Sequence, residues 1–230
     1  MDRLGTRAGA SPRPGARAIV SGRPDLGRVV MVPVSVTMFA LDVAALTRTG
    51  SALRWPGAVV AGAFYALIIW CYLRRGPAIA TSGSVTGYAA AVVATVTPLT
   101  LPLLRGPAPG PAQAAAADAL MLAGTAWAVW SLRFLGRSLS VIAQARQVVD
   151  GGPYRWVRHP LYTGEIVSSL GLAVAAGSPE AFAVWLAFCG LQAYRALREE
   201  QILIRALPGY GSYRARTPAL FPGRRRGRFG

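Results

Sequence analysis

GGPYRWVRHPLYTGEIVSSLG, residues 151–171, followed by an apolar run to AYRALREEQILI at 193–204, is the stretch on which the chain turns. The run is broken once, at Gly177-Ser178-Pro179. Two apolar segments joined by three residues can only be antiparallel neighbours, so the stretch reads as a helical hairpin that lies in a membrane. Its mouth carries the only histidine, His159, between Arg158 and Pro160, and its far end carries the only adjacent acidic pair, Glu199-Glu200. Of nine acidic residues, five lie between Asp150 and Glu200. A chain this poor in polar side chains has few places for chemistry, and they converge on the hairpin.

The rest of the sequence supports that frame. The apolar fraction is 53%, mean hydropathy is positive, and the apolar residues come in long runs rather than short alternations. These features favour a polytopic membrane protein over a soluble fold. The expected spans are 29–46, 57–73, 85–104, 114–132, 161–176 and 180–194. The fold class is therefore all-α, a polytopic integral membrane protein of about six transmembrane helices ending in the helical hairpin. Pro98 and Pro102 are expected to kink the third span, and Gly124 suits close packing in the alanine-rich fourth. Four regions follow: a basic tail over 1–28, rich in Gly, Pro and Arg and read as disordered; helices one to four over 29–132; a cofactor loop, hairpin and catalytic C-terminal segment over 133–222; and a second basic tail over 223–230.

The net charge is +16, carried entirely by arginine, with no lysine. The arginines sit at the ends of apolar segments and form no stripe with interleaved aromatics, so no nucleic-acid partner is expected. With the N-terminus inside, the outer loops hold only Arg48, Arg54 and Arg105, and the remaining 22 arginines lie on the inner side or at its boundary. This bias predicts a cell-membrane protein with both termini and the functional loop on the cytoplasmic side. Cys71 and Cys189 fall inside apolar segments without metal-ligand spacing, and no metal site is expected.

At the hairpin mouth, Pro160 fits the first turn of a helix and leaves His159 extended before it, beside free N–H groups that suit an anion. Tyr154, Trp156 and Tyr162 either stack on a planar ring or form an interfacial belt. At the far end, Arg195 and Glu199 are four residues apart and share a face, which permits an intrahelical ion pair worth about 0.3–0.5 kcal/mol. That pair leaves the second acid, Glu200, without an explanation. Folding the hairpin returns Glu199 to the level of His159, where a cationic or hydrogen-bonding ligand can sit between them.

The run Gln147-Val148-Val149, Gly152-Pro153-Tyr154 and Arg158-His159-Pro160-Leu161-Tyr162-Thr163-Gly164, with Glu199-Glu200 downstream, resembles the isoprenylcysteine carboxyl methyltransferase family and related integral-membrane phospholipid methyltransferases. Leu135-Gly136-Arg137-Ser138 before it and Tyr213, Arg216, Pro218 and Pro222 after it extend the likeness. The family often has histidine and leucine where Arg146 and Val148 stand here. The resemblance implies a helical membrane enzyme that uses S-adenosylmethionine, releases S-adenosylhomocysteine and lacks the soluble dinucleotide-type fold. It places Gln147, Val148, Val149, Tyr154, His159, Pro160, Leu161, Tyr162 and Glu199 around the cofactor, with Arg195 on the acceptor's acidic head. His159, Arg195 and Glu199 make up the implied catalytic set. The implied partners are the lipid bilayer and a lipidic or prenylated acceptor, methylated on a carboxylate or other oxygen. Two other readings stand beside this one: an NADPH-dependent reductase of the steroid-reductase type, and a small transporter in which the buried acids Asp42 and Asp118 matter.

Overall fold

The computed structural model describes residues 26–49, 55–74, 80–81, 85–104, 106–135, 144–145 and 148–222. Seven α-helices carry these residues: α1 Leu26–Thr49, α2 Trp55–Arg74, α3 Val85–Thr100, α4 Pro111–Leu135, α5 Pro160–Ala176, α6 Pro179–Ala206 and α7 Tyr210–Arg216. The all-helical expectation holds, with one small addition. Two-residue strands β1 (Ala80–Thr81) and β2 (Gln144–Ala145) pair antiparallel, Ala80 with Ala145 and Thr81 with Gln144. The two tails, 1–25 and 223–230, lie outside the described residues, as does Gln147, whereas residues 26–28, read as tail, begin α1.

The expected hairpin is α5 and α6, and its turn is built from the residues that marked it. Pro160 occupies the first turn of α5. Gly177 caps its end in the left-handed region at φ 65°, where a side chain would be strained. Ser178 then caps α6 by accepting the Ala181 N–H at 3.1 Å, and Pro179 opens the helix. The turn is stitched to the segment after α3: the Ser178 hydroxyl donates to Leu104 O at 2.7 Å, and the Gly106 N–H donates to Ala176 O at 2.7 Å. Beyond the expected span end at residue 194, α6 runs on without a break to Ala206, which carries Arg195, Glu199 and Glu200 on one rigid rod.

The α4–α5 pair is the most extensive helix contact. It is closed by glycine at the crossing: a Cβ on Gly124 would meet Gly164 O at 2.7 Å, and one on Gly164 would meet Gly124 O at the same distance. Backbones this close gain dispersion along their whole length, which suits helices that have no hydrophobic drive to associate in lipid. Around this pair, Cys71, Tyr72 and Leu132 join α2 to α4, with Leu161 of α5 against them. Ala94, Ile166 and Phe188 join α3, α5 and α6. Helix α7 folds back under the end of α6 through Leu207, Tyr210 and Tyr213. Pro98 lies inside α3, and a 3-10 turn, Leu101–Leu103, carries Pro102.

Among the described residues one helix, Pro111–Leu135, is both long and apolar enough to cross a membrane, and Gly62–Arg74 and Ala89–Leu103 are shorter apolar stretches. Six crossings are therefore not established by length and composition. The polar turn Arg195–Glu200 dilutes α6, and α5, at 17 residues, is short.

Candidate functional site

The site forms where the open ends of α5 and α6 meet the segment leading into α5 and the one following α7. Before α5, Gly152–Arg155 makes a 3-10 turn with Pro153 and Tyr154 buried. The Tyr213 hydroxyl of α7 donates to Tyr154 O at 2.6 Å, and burial pushes the Tyr154 phenol well above its ordinary pKa. The chain after α7 then runs beside the mouth of α5. Arg158 N–H donates to Pro218 O at 2.8 Å, His159 N–H to Ala219 O at 3.0 Å, and the Thr163 hydroxyl to Leu220 O at 2.6 Å. The helix mouth is thus lined on one side by residues 218–220.

Glu200 is the electrostatic centre of this end of the molecule. It is 3% exposed, yet three cations or donors surround it: Arg158 Nε at 2.7 Å and His159 Nε2 at 3.1 Å on one oxygen, and Arg214 Nε at 3.1 Å on the other. Burial alone would raise its pKa, but the hydrogen bonds from His159 and Arg158, with their charge, hold it at about 2. An ionised carboxylate can only accept, so Nε2 of His159 is the donor to Glu200. Arg158 also donates to Arg214 O at 2.9 Å and to Thr217 O. Glu200 is therefore a clamp that binds the α5 mouth, α6 and α7 together, which accounts for the second acid of the pair.

Glu199 faces elsewhere. Its Oε2 accepts from the Tyr162 hydroxyl at 3.1 Å and lies 3.8 Å from His159 Nδ1, and its side chain keeps 26% of its surface exposed. The His159 and Tyr162 rings are stacked at 5.5 Å with 3° between planes. The Arg195 guanidinium lies over the Tyr162 ring, 4.7 Å from its centre, and donates to Gln192 Oε1 at 2.7 Å. Gln192, fully buried, donates in turn to Glu165 Oε2. The charges of both Glu165 and Glu199 bear on Arg195.

Of the residues singled out by sequence, His159, Tyr162, Arg195 and Glu199 come together in one cluster, with Tyr154 in electrostatic reach of Glu199. Pro160 is fully buried at the helix start. Leu161 is turned into the α2–α4 packing, and Val148 packs on Leu207, Tyr210 and Tyr213, with Val149 partly buried beside it. Asp118, read as a buried acid, is exposed, because it sits on the outward face of α4; the side chain of Asp42 lies outside the described residues. Sequence reading does not single out Arg214, Gln192 or Glu165. Glu165 had a signal, being an acid inside an apolar run; Arg214 had none, because its pairing with Glu200 depends on how α7 folds back.

The site sits at the end of a longer matched region. Residues 112–208 match the family model described as phospholipid methyltransferase, which bears out the motif resemblance and supports a membrane methyltransferase. Among curated proteins, the chain is 38% identical over 76 residues to the cobalt-zinc-cadmium resistance protein CzcN of Cupriavidus metallidurans, covering 33% of this chain and 35% of that one. It is 35% identical over 80 residues to the nickel-cobalt-cadmium resistance protein NccN of Alcaligenes xylosoxydans xylosoxydans, covering 34% and 38%. The chain thus matches little more than a third of the length of these relatives. No solved structure matches it.

Proposed function

We propose that this protein is an S-adenosylmethionine-dependent methyltransferase held in the cell membrane by six helices, which methylates an oxygen on the polar head of a lipidic or prenylated acceptor at the cytoplasmic face. The observation that carries this reading is the His159–Tyr162–Glu199–Arg195 cluster at the open end of the hairpin, inside the stretch matched by the methyltransferase family.

The residues suit the group. S-adenosylmethionine, when bound, supplies a methyl group on a cationic sulfonium. Glu199, half-satisfied and partly exposed, offers a carboxylate to cationic or hydroxyl parts of the donor. The stacked His159 and Tyr162 rings and the buried Tyr154 supply aromatic walls, while Pro160, Leu161, Val148 and Val149 belong to the packing around them. Arg195 stands on the acceptor side. Methyl transfer to oxygen requires alignment and exclusion of water more than acid–base work, which fits a site with so few ionisable groups. Glu200, held ionised by three partners, orients His159 and is spent as a base.

Six helices in lipid account for the apolar residues left outside. Val59, Val93, Val96, Leu103 and Leu186 are exposed on α2, α3, the turn after it and α6, while serine, glycine and Gln192 face inward. A surface of that kind is unfavourable in water and natural in a bilayer. A lipid tail then enters sideways between helices while its head meets the donor. The test is transfer of labelled methyl from S-adenosylmethionine into the lipid extract of membranes carrying the protein. Label above background with wild type, and a fall of about 100-fold or more with Glu199→Gln, is expected; equal labelling by both contradicts the assignment.

A further inference from the structure

Glu165 and Arg195 are joined through one side chain, on the hairpin's inner side of His159 and Glu199. Gln192, fully buried, bridges them: its amide nitrogen donates to Glu165 Oε2, and its oxygen accepts from Arg195. A buried amide that spends both ends on opposite charges fixes each of them in place. Glu165 is five residues beyond Pro160, so it lies about 7.5 Å further along α5. It is partly buried, and Gln192 satisfies one of its oxygens, leaving Oε1 without a partner among the described residues. Arg195, by contrast, is already engaged by Gln192, by the Tyr162 ring and by the charges of Glu165 and Glu199.

We infer that Glu165 selects the acceptor, favouring a head that is neutral and donates a hydrogen bond, a hydroxyl on a lipid-soluble molecule, over a carboxylate. Prior engagement decides between the two. Arg195 alone would attract an anionic head, but its guanidinium already donates to Gln192, which is bridged to Glu165, and lies over the Tyr162 ring, so an incoming carboxylate must displace these partners. A hydroxyl meets no such penalty and finds an acceptor in Glu165 Oε1. This deepens the methyltransferase reading and rests on it.

The test uses two amphiphiles that share ring and tail, 4-dodecylphenol and 4-dodecylbenzoate, titrated against detergent-purified full chain at neutral pH and read by tryptophan fluorescence. The quantity compared is the ratio of the two affinities, which cancels partition into detergent. Wild type is expected to favour the phenol relative to the variants. Glu165→Gln and Glu165→Ala shift the ratio about tenfold or more toward the benzoate, and Glu165→Asp keeps the wild-type ratio. A ratio unchanged within twofold in either neutral variant, with S-adenosylmethionine binding intact, overturns the role of Glu165 alone. Absence of S-adenosylmethionine binding by wild type sinks the methyltransferase reading instead, because the probe ratio is measured without the donor.

Discussion

Two neighbouring acids at the end of α6 have opposite fates, and side-chain geometry decides which. Glu200 is sealed among Arg158, His159 and Arg214, whereas Glu199 takes one hydroxyl from Tyr162 and stays partly open. Glu200 has a folded pKa of about 2 against an ordinary 4.5, so its contribution to stability is complete above about 4.5 and is lost as pH falls toward 2. Glu200→Gln is therefore expected to lower the unfolding free energy at pH 7 by about 3 kcal/mol and to flatten the loss of stability between pH 5 and 2, measured by denaturant melts in detergent. A melt whose acid limb is unchanged would rule out Glu200 as the titrating clamp. Tyr162→Phe tests the other acid. It keeps the ring stacked on His159 and under Arg195 but removes the donor to Glu199, and it should weaken S-adenosylmethionine binding by about 3–10-fold. Tyr162→Ala, which removes the ring as well, should cost more.

At the scale of elements, the hairpin was legible because its turn is written in three residues with distinct jobs. Gly177 takes the left-handed cap, Ser178 caps the next helix and Pro179 starts it. The same local logic located His159 before Pro160. What was not legible depends on contacts distant in sequence. The position of residues 218–220 beside Arg158 and His159 follows from the fold-back of α7, and no periodicity announces it. The helix past residue 194 was legible as far as Glu199, which shares a face with Arg195; its continuation to Ala206 rests on helix propensity and on the fit of Ala196 and Glu200 against their neighbours. Glycine at the α4–α5 crossing carries an expectation of its own. In Gly164→Val the first side-chain atom alone would stand 2.7 Å from Gly124 O, and the substitution should cost about 1–3 kcal/mol and lower the melting temperature. Val at exposed Gly211, which has nothing within 4 Å, should not act through packing.

For the whole molecule, the pairing of β1 with β2 joins the α2–α3 connection to the α4–α5 connection. The proposed six-helix arrangement puts both connections on one side of the membrane, and their pairing is consistent with it. The hairpin turn and residues 106–110, bound through Gly106 N–H to Ala176 O, belong to the opposite end. With the two native cysteines replaced by serine, Asp150→Cys and Ala108→Cys are expected to react with a membrane-impermeant maleimide from opposite faces, Asp150→Cys in inverted vesicles and Ala108→Cys in right-side-out ones. Reaction of both from one face would contradict the membrane arrangement.

Whether the hairpin mouth holds a methyl donor is decided by calorimetric binding of S-adenosylmethionine to detergent-purified protein, with His159→Ala and Glu199→Gln beside wild type. Wild type is expected to bind saturably, and each variant to lose about 10–100-fold in affinity, since each removes a group at the centre of the cluster. Folded wild-type protein that binds no S-adenosylmethionine, with or without added lipid, would overturn the methyltransferase assignment.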